Sequence, residues 1–145
     1  MDVRAGASPR RRDRVRTGRR GRVTGVRLCS FDIDGTLEIG DPPGIIPIAL
    51  VRHAQQLGYI VGSCSDRPIS FQTEMWKRFD IAPDFTVLKH RLSDVKARFE
   101  AAAYYHIGDT DIDEHFALIA GFRFLRADAV THRAWGPELF GGRDP

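Results

Sequence analysis

The sequence predicts an α/β fold, a Rossmann-like three-layer sandwich around a central, mostly parallel sheet. Two observations predict it. Strand-like apolar runs alternate with segments of helical periodicity along residues 23–130, the order that builds a parallel sheet covered by helices. Asp32, Ser65, Lys89 and Asp109 each stand at or just beyond the end of one of those runs, where open sheets bind ligands.

The elements follow in order. Val26 to Phe31 reads as a buried strand, and Gly35 turns the chain just after it. Pro47 suits a helix start, with Ala49, Leu50, Ala54 and Leu57 at helical spacing and Gly58 as its C-terminal cap. Tyr59 to Gly62 is the second strand. Pro68 opens another helix, with Phe71, Met75 and Phe79 as its apolar face. Phe85 to Leu88 is the third strand, and Ser93 is the expected N-cap of a helix running through Ala103. Tyr104 to Ile107 is the fourth strand. A helix begins near Asp111 and closes at Gly121, and Phe122 to Leu125 forms a last strand. Trp76 and Trp135 are expected as packing residues, and residues 131–145, rich in Gly and Pro, as a loose C-terminal tail.

Composition narrows the class. A chain of 145 residues is sized for one domain with a real core. No apolar run approaches the roughly 20 residues that cross a bilayer, and no secretory signal opens the sequence, so a cytoplasmic location is expected. Cys29 and Cys64 read as buried free thiols rather than a disulfide framework. The net charge of +3 comes from one end: residues 1–22 hold nine Arg against Asp2 and Asp13. That leaves 13 basic and 17 acidic residues beyond the head, an acidic body unlike a nucleic-acid binder. The head has the charge to hold RNA, DNA or an acidic membrane as a disordered arm. A solvated tail, or translated sequence upstream of the true start, is favoured, because no aromatic residue interleaves the arginines for base stacking.

The stretch Ser30-Phe31-Asp32-Ile33-Asp34-Gly35-Thr36 carries the sharpest chemistry. Residues two apart on a strand point the same way, so Asp32 and Asp34 project together at its exit. Two adjacent carboxylates leaving a core repel one another and lose hydration; a divalent cation and a phosphoryl group resolve that conflict. An Asx-type turn cap is the plain alternative, but it explains one aspartate better than two. Asp109 and Asp113 stand four apart, so one helical turn brings both to one face. The alternative there is a helix N-terminus favouring negative charge.

This stretch matches the D-x-D-G-T motif of the haloacid dehalogenase (HAD) superfamily. Ser63-Cys64-Ser65-Asp66-Arg67-Pro68 is similar to the second motif, Lys89 stands where the third-motif lysine is expected, and Gly108-Asp109-Thr110-Asp111-Ile112-Asp113 is similar to the fourth. The resemblance spans roughly Val23 to Ala127 and implies a phosphatase. Asp32 would be the nucleophile that forms an aspartyl-phosphate, and Asp34 the general acid and base. Ser65 and Asp66 belong to the phosphate-binding segment, with Ser63 the alternative if the second strand ends earlier. Asp66 departs from the glycine or asparagine often found there, and Arg67 is its expected partner. Lys89 would neutralise the phosphoryl group, with Lys96 its rival. Asp32, Asp109, Asp113 and the backbone carbonyl of Asp34 would hold Mg²⁺, while Asp111 faces solvent or caps its helix.

The five histidines show no ligand pairing, and Mg²⁺ prefers oxygen. Thr36 to Pro47 leaves room only for a short flap, built from Glu38, Asp41 and the Pro42-Pro43-Gly44 turn. Ser65 to Lys89 holds little more than a helix and a strand, so a capless domain is expected, with no large cap domain. The partners implied are a phosphorylated small molecule or macromolecule and, where a neighbour covers the open site, a homo-oligomer. The competing functions are a polynucleotide-end or protein phosphatase recruited by the head, and a non-catalytic binding module of the same fold.

Overall fold

The sheet grows outward from its first strand. In the computed structural model, which describes residues 25–141, β1 (Arg27–Phe31) lies between β2 (Ile60–Ser65) and β4 (Ala103–Gly108). β3 (Phe85–Leu88) and β5 (Arg123–Arg126) form the two edges, and all neighbours run parallel in the order β3-β2-β1-β4-β5. The chain first winds outward from β1 to β3 and then returns to β1's other side. The gap between the exits of β1 and β4 is therefore the switch point at which such sheets take ligands.

Five helices cover the two faces: α1 (Ile48–Gln56), α2 (Ile69–Arg78), α3 (Leu92–Arg98), α4 (Asp111–Ala120) and α5 (Ala129–Phe140). The alternation of β1 divides the core. Cys29 and Phe31 point into a cluster with Val51, Met75, Trp76, Leu139 and Phe140, from α1, α2 and α5. Leu28 points the other way, to Leu92, Val95, Ala117 and Phe122 beneath α3 and α4. This is the three-layer arrangement expected from the alternating pattern. Cys29 and Cys64 are buried free thiols, as expected, and burial pushes both thiols well up from their ordinary value.

Several local expectations are corrected. α3 starts at Leu92, after a 3₁₀ turn over Lys89–Arg91, with Arg91 rather than Ser93 at the cap position. It ends at Arg98 because Ala103 is needed in β4, where it pairs with Arg27. The buried face of α2 is Gln72, Met75 and Trp76; Phe71 and Phe79 are half-buried at its margins. Gln72 tolerates full burial because its amide accepts from Ser63 Oγ and donates to the carbonyls of Arg67 and Val87.

The largest correction concerns residues 131–145. They are not a loose tail up to Gly141: α5 occupies Ala129–Phe140 and buries Trp135, Leu139 and Phe140. Asp128 caps it by accepting from the N–H groups of Val130 and Thr131, and Gly141 ends it at φ 84°. Trp135 Nε1 donates to the Arg126 carbonyl, and Tyr59 Oη donates to that of Leu139. Burial of three large side chains outweighs the presence of Pro137 inside the helix. The arginine-rich residues 1–22 lie outside the described residues. Among the described residues, no helix is long and apolar enough to cross a membrane.

Between β1 and α1 the chain makes a tight loop rather than a domain. Ile46 N donates to Thr36 O and Glu38 N to Ile46 O, while Leu37 and Ile46 are fully buried. Gly44 packs so closely that a Cβ there would lie 2.3 Å from the Thr36 carbonyl carbon. Glu38 accepts from Ile48 N and so closes the start of α1. Between β2 and β3 there is only α2 with its turns, so no large cap domain interrupts the sheet among the described residues.

Candidate functional site

β1 and β4 hand their carboxylates to the switch point. Asp32 follows β1 directly, and its N–H still pairs with the Ile107 carbonyl of β4, which fixes its direction. Asp109 follows β4, and Asp113 lies one turn into α4. One carboxylate oxygen from each of Asp32, Asp109 and Asp113 lies within 4.8 Å of the others. Asp32 and Asp113 are buried and Asp109 half-buried.

Gly35 makes the approach possible. Its φ is +78°, and a Cβ at that position would lie 2.1 Å from Asp109 Oδ2. Only glycine therefore lets the turn after Asp34 pass so near the other aspartate. Thr36, fully buried, lies between the two strands' carboxylates, with Oγ1 3.3 Å from Asp32 Oδ2 and 3.2 Å from Asp109 Oδ1.

Lys89 is the cation that reaches this cluster. Its Nζ lies 3.3 Å from Asp113 Oδ1, 3.7 Å from Asp32 Oδ1 and 3.8 Å from Asp66 Oδ2. Burial alone would lower the lysine's pKa, but the charges of Asp32, Asp113 and Asp66 outweigh it and hold the ammonium charged. Lys96 plays no part: it donates to the Gly121 carbonyl and stacks over Tyr104.

The two buried aspartates are pushed apart. Burial, then the charge of Asp113, raises Asp32 to about 8, against the smaller opposing pull of Lys89. Burial also works to raise Asp113, but hydrogen bonds from His106 and Thr110 and the charges around it hold that carboxyl well below the usual range. Asp113 Oδ2 accepts from both the N–H and the hydroxyl of Thr110, and Thr110 Oγ1 accepts from Asp113 N, a reciprocal capping box. His106, fully buried in β4, faces Asp113 Oδ1 through Nε2 at 3.1 Å and Ser30 Oγ through Nδ1 at 2.9 Å. A carboxylate only accepts, so Nε2 carries the hydrogen.

Asp34, two residues beyond Asp32, meets a different environment. Its Oδ2 accepts from Arg67 Nε at 2.7 Å, and its Oδ1 accepts from Arg67 Nη2 at 3.2 Å and Asp41 N at 2.8 Å. Partial burial works to raise its pKa, yet these donors outweigh it and hold the carboxyl below its ordinary value. Its side chain stands outside the three-carboxylate cluster. The expected Asp66–Arg67 pair does not form, because Asp34 takes the guanidinium. Asp66 instead lies largely exposed beside Lys89.

Ser65 ends β2, buried, with its Oγ accepting from Arg67 N at 3.0 Å. Its hydroxyl hydrogen has no protein acceptor among the described residues. Ser63 lies inside the strand, and its hydroxyl is committed: it donates to Gln72 and accepts from Trp76 Nε1. Asp111 faces solvent and pairs with Arg126, as expected of a first-turn residue. A cavity of about 370 Å³ lies elsewhere, between α4, β5 and α5, and none of the carboxylates just described lines it.

The three clustered carboxylates could hold a metal ion through hard oxygen donors. Sequence reading missed Thr36 and His106 as members of the site, and missed Asp34 as the partner of Arg67. Compared with known proteins, the chain matches no family model and no curated protein.

Proposed function

We propose that the chain is a Mg²⁺-dependent phosphomonoester hydrolase of the HAD type, working through an aspartyl-phosphate on Asp32. One observation carries this reading: Asp32, Asp109 and Asp113 converge at the switch point of a parallel sheet, with Lys89 against two of them. A purely structural cluster has no need to gather three carboxyl groups at the one place where such a sheet binds ligands.

Asp32, Asp109 and the Asp34 carbonyl would hold the cation, with Asp113 beside them or behind them. When bound, the ion supplies charge neutralisation between carboxylate and phosphate and acts as a Lewis acid. The chain's own groups do the rest. Asp32 attacks phosphorus in line, and the ester oxygen departs on the opposite side, toward the mouth. Lys89 balances the phosphoryl charge from within. Ser65, at the end of β2, offers its hydroxyl hydrogen to a phosphoryl oxygen. Once it turns from Arg67 and loses the donors that hold it ionised, Asp34 takes a proton from solvent and gives it to the leaving oxygen, and on the return half takes one from the attacking water. His106 and Thr110 keep Asp113 ionised and aimed at Lys89. Each cycle consumes one water and returns Asp32 unmodified.

The test is hydrolysis of an aryl phosphate with and without Mg²⁺, comparing the native chain with Asp32→Asn. The expected result is Mg²⁺-dependent turnover that falls by a factor on the order of 10⁴ or more in the variant. Equal turnover in both proteins would remove Asp32 from the mechanism. A complete lack of turnover on aryl and alkyl phosphates would favour a binding module.

A further inference from the structure

Going outward from the cluster, three side chains follow one another: Asp32 nearly buried, then Asp34, then Arg67, whose side chain is 35 % exposed. Arg67 is held in place from two directions. Its guanidinium lies over the Phe71 ring at 4.5 Å, and Asp34 accepts from its Nε and Nη2. Its remaining N–H groups have no protein partner among the described residues.

In-line attack by Asp32 sends the leaving oxygen away from the nucleophile. On the phosphatase reading Asp34 serves that oxygen, and Asp34 is the group that holds Arg67. When Asp34 turns to serve the leaving oxygen, the guanidinium loses both hydrogen bonds while it still lies over the Phe71 ring. An anionic group on the leaving side is the natural replacement, because a planar fork binds a carboxylate or phosphate in the geometry it used for Asp34.

We propose that Arg67 is a specificity residue that exchanges Asp34 for an anionic group on the substrate, so that the preferred substrate is a small phosphomonoester whose alcohol carries a carboxylate or second phosphate close to the ester. The proposal rests on the phosphatase reading and deepens it. No covalent step is added: one ion pair opens as another closes, and charge on the guanidinium is matched throughout.

A two-carbon series tests it with size held nearly constant. 2-Phosphoglycolate, ethylene glycol bisphosphate, 2-hydroxyethyl phosphate and phosphoethanolamine place a carboxylate, a phosphate, a hydroxyl and an ammonium at the same distance. With the full chain and Mg²⁺, one or both anionic members should exceed the hydroxyl compound in kcat/KM by about tenfold or more. The two anionic members distinguish carboxylate from phosphate. Arg67→Gln should collapse that ratio toward one, mainly through KM, and Arg67→Lys should keep part of it. An unchanged ratio in Arg67→Gln, or no preference in the native chain, overturns the proposal.

A binding arm keeps this separate from the phosphatase reading. Calorimetry compares 3-phosphonopropionate with propylphosphonate, neither of which can be hydrolysed. Tighter binding of the carboxylated compound, lost in Arg67→Gln, supports Arg67 whether or not any ester turns over. Equal binding overturns it even in an active phosphatase.

Discussion

Asp32 and Asp34 leave the same strand two residues apart and end in opposite conditions. Asp32 enters a buried cluster of like charges, and burial with Asp113 pushes it up to about 8. Asp34 stops at the rim, where partial burial is outweighed by Arg67 and the Asp41 N–H, which hold it below its usual value. The residue type is the same; the surroundings set the charge. Surroundings that drive two carboxylates apart in this way give one region two different charge states. The inner cluster is expensive in charge and draws in Lys89, whereas the rim is an ion pair that solvent screens.

The sharpest break between inner and outer groups is expected at lysine. Lys89→Ala should lower turnover on an aryl phosphate by roughly 10² to 10³, the scale of removing one preorganised donor. Lys96→Ala, which loses only a carbonyl contact and a ring, should leave it within about twofold. Steady-state assays of the two variants decide it, and similar losses in both would dissolve the distinction.

A second contrast is in stability. His106→Ala removes a fully buried ring and strands Ser30 and Asp113, which should cost about 2 to 4 kcal/mol in urea denaturation. Arg67→Ala breaks a partly exposed pair and should leave the denaturation midpoint nearly unchanged. Equal losses would mean that the rim anchors the site as strongly as the core.

The smallest effect is a pair of pH dependences of opposite sign. Asp32's folded pKa is raised above 3.8 to about 8, so the fold favours its protonated form. The stability it contributes is complete below about pH 4 and is lost as pH rises through about 8. Mg²⁺ requires the ionised form, so its stabilisation should grow over that window, reaching roughly 5 °C in Tm near pH 8 and shrinking near pH 5. Asp34 behaves in reverse: its folded pKa lies below 3.8, so its contribution is present above that value and is lost as pH falls further. Thermal melts with and without Mg²⁺ at several pH values separate the two, and a Mg²⁺ shift independent of pH would remove Asp32 from the cation site.

Much of this was legible because the chemistry sits where local pattern changes. Asp32, Ser65, Lys89 and Asp109 each mark the end of an apolar run, so the strands and the candidate residues at their ends could be read together, though the order of the strands in the sheet could not. The choice of Ser65 over Ser63 turned on where β2 stops, and β2 runs to Ser65. What stayed hidden was long-range pairing. His106 reads as one residue in an apolar strand, and its bond to Asp113 appears only when α4 folds back over β4. Arg67 stands beside Asp66 in sequence yet takes Asp34, 33 residues away. α5 was obscured by Gly136 and Pro137, whose local preference against helix yields to the burial of Trp135, Leu139 and Phe140.

The loop after Asp34 has a kinetic consequence. Its backbone is stitched to itself at Thr36, Glu38, Gly44 and Ile46, and Gly44 rests directly on Thr36. A segment anchored this closely does not swing as a lid on the microsecond-to-millisecond timescale. What remains to move at the mouth is side chains, whose rotations take picoseconds to nanoseconds. On the phosphatase reading, lid motion then does not time turnover, and raising solvent viscosity with glycerol should leave kcat unchanged.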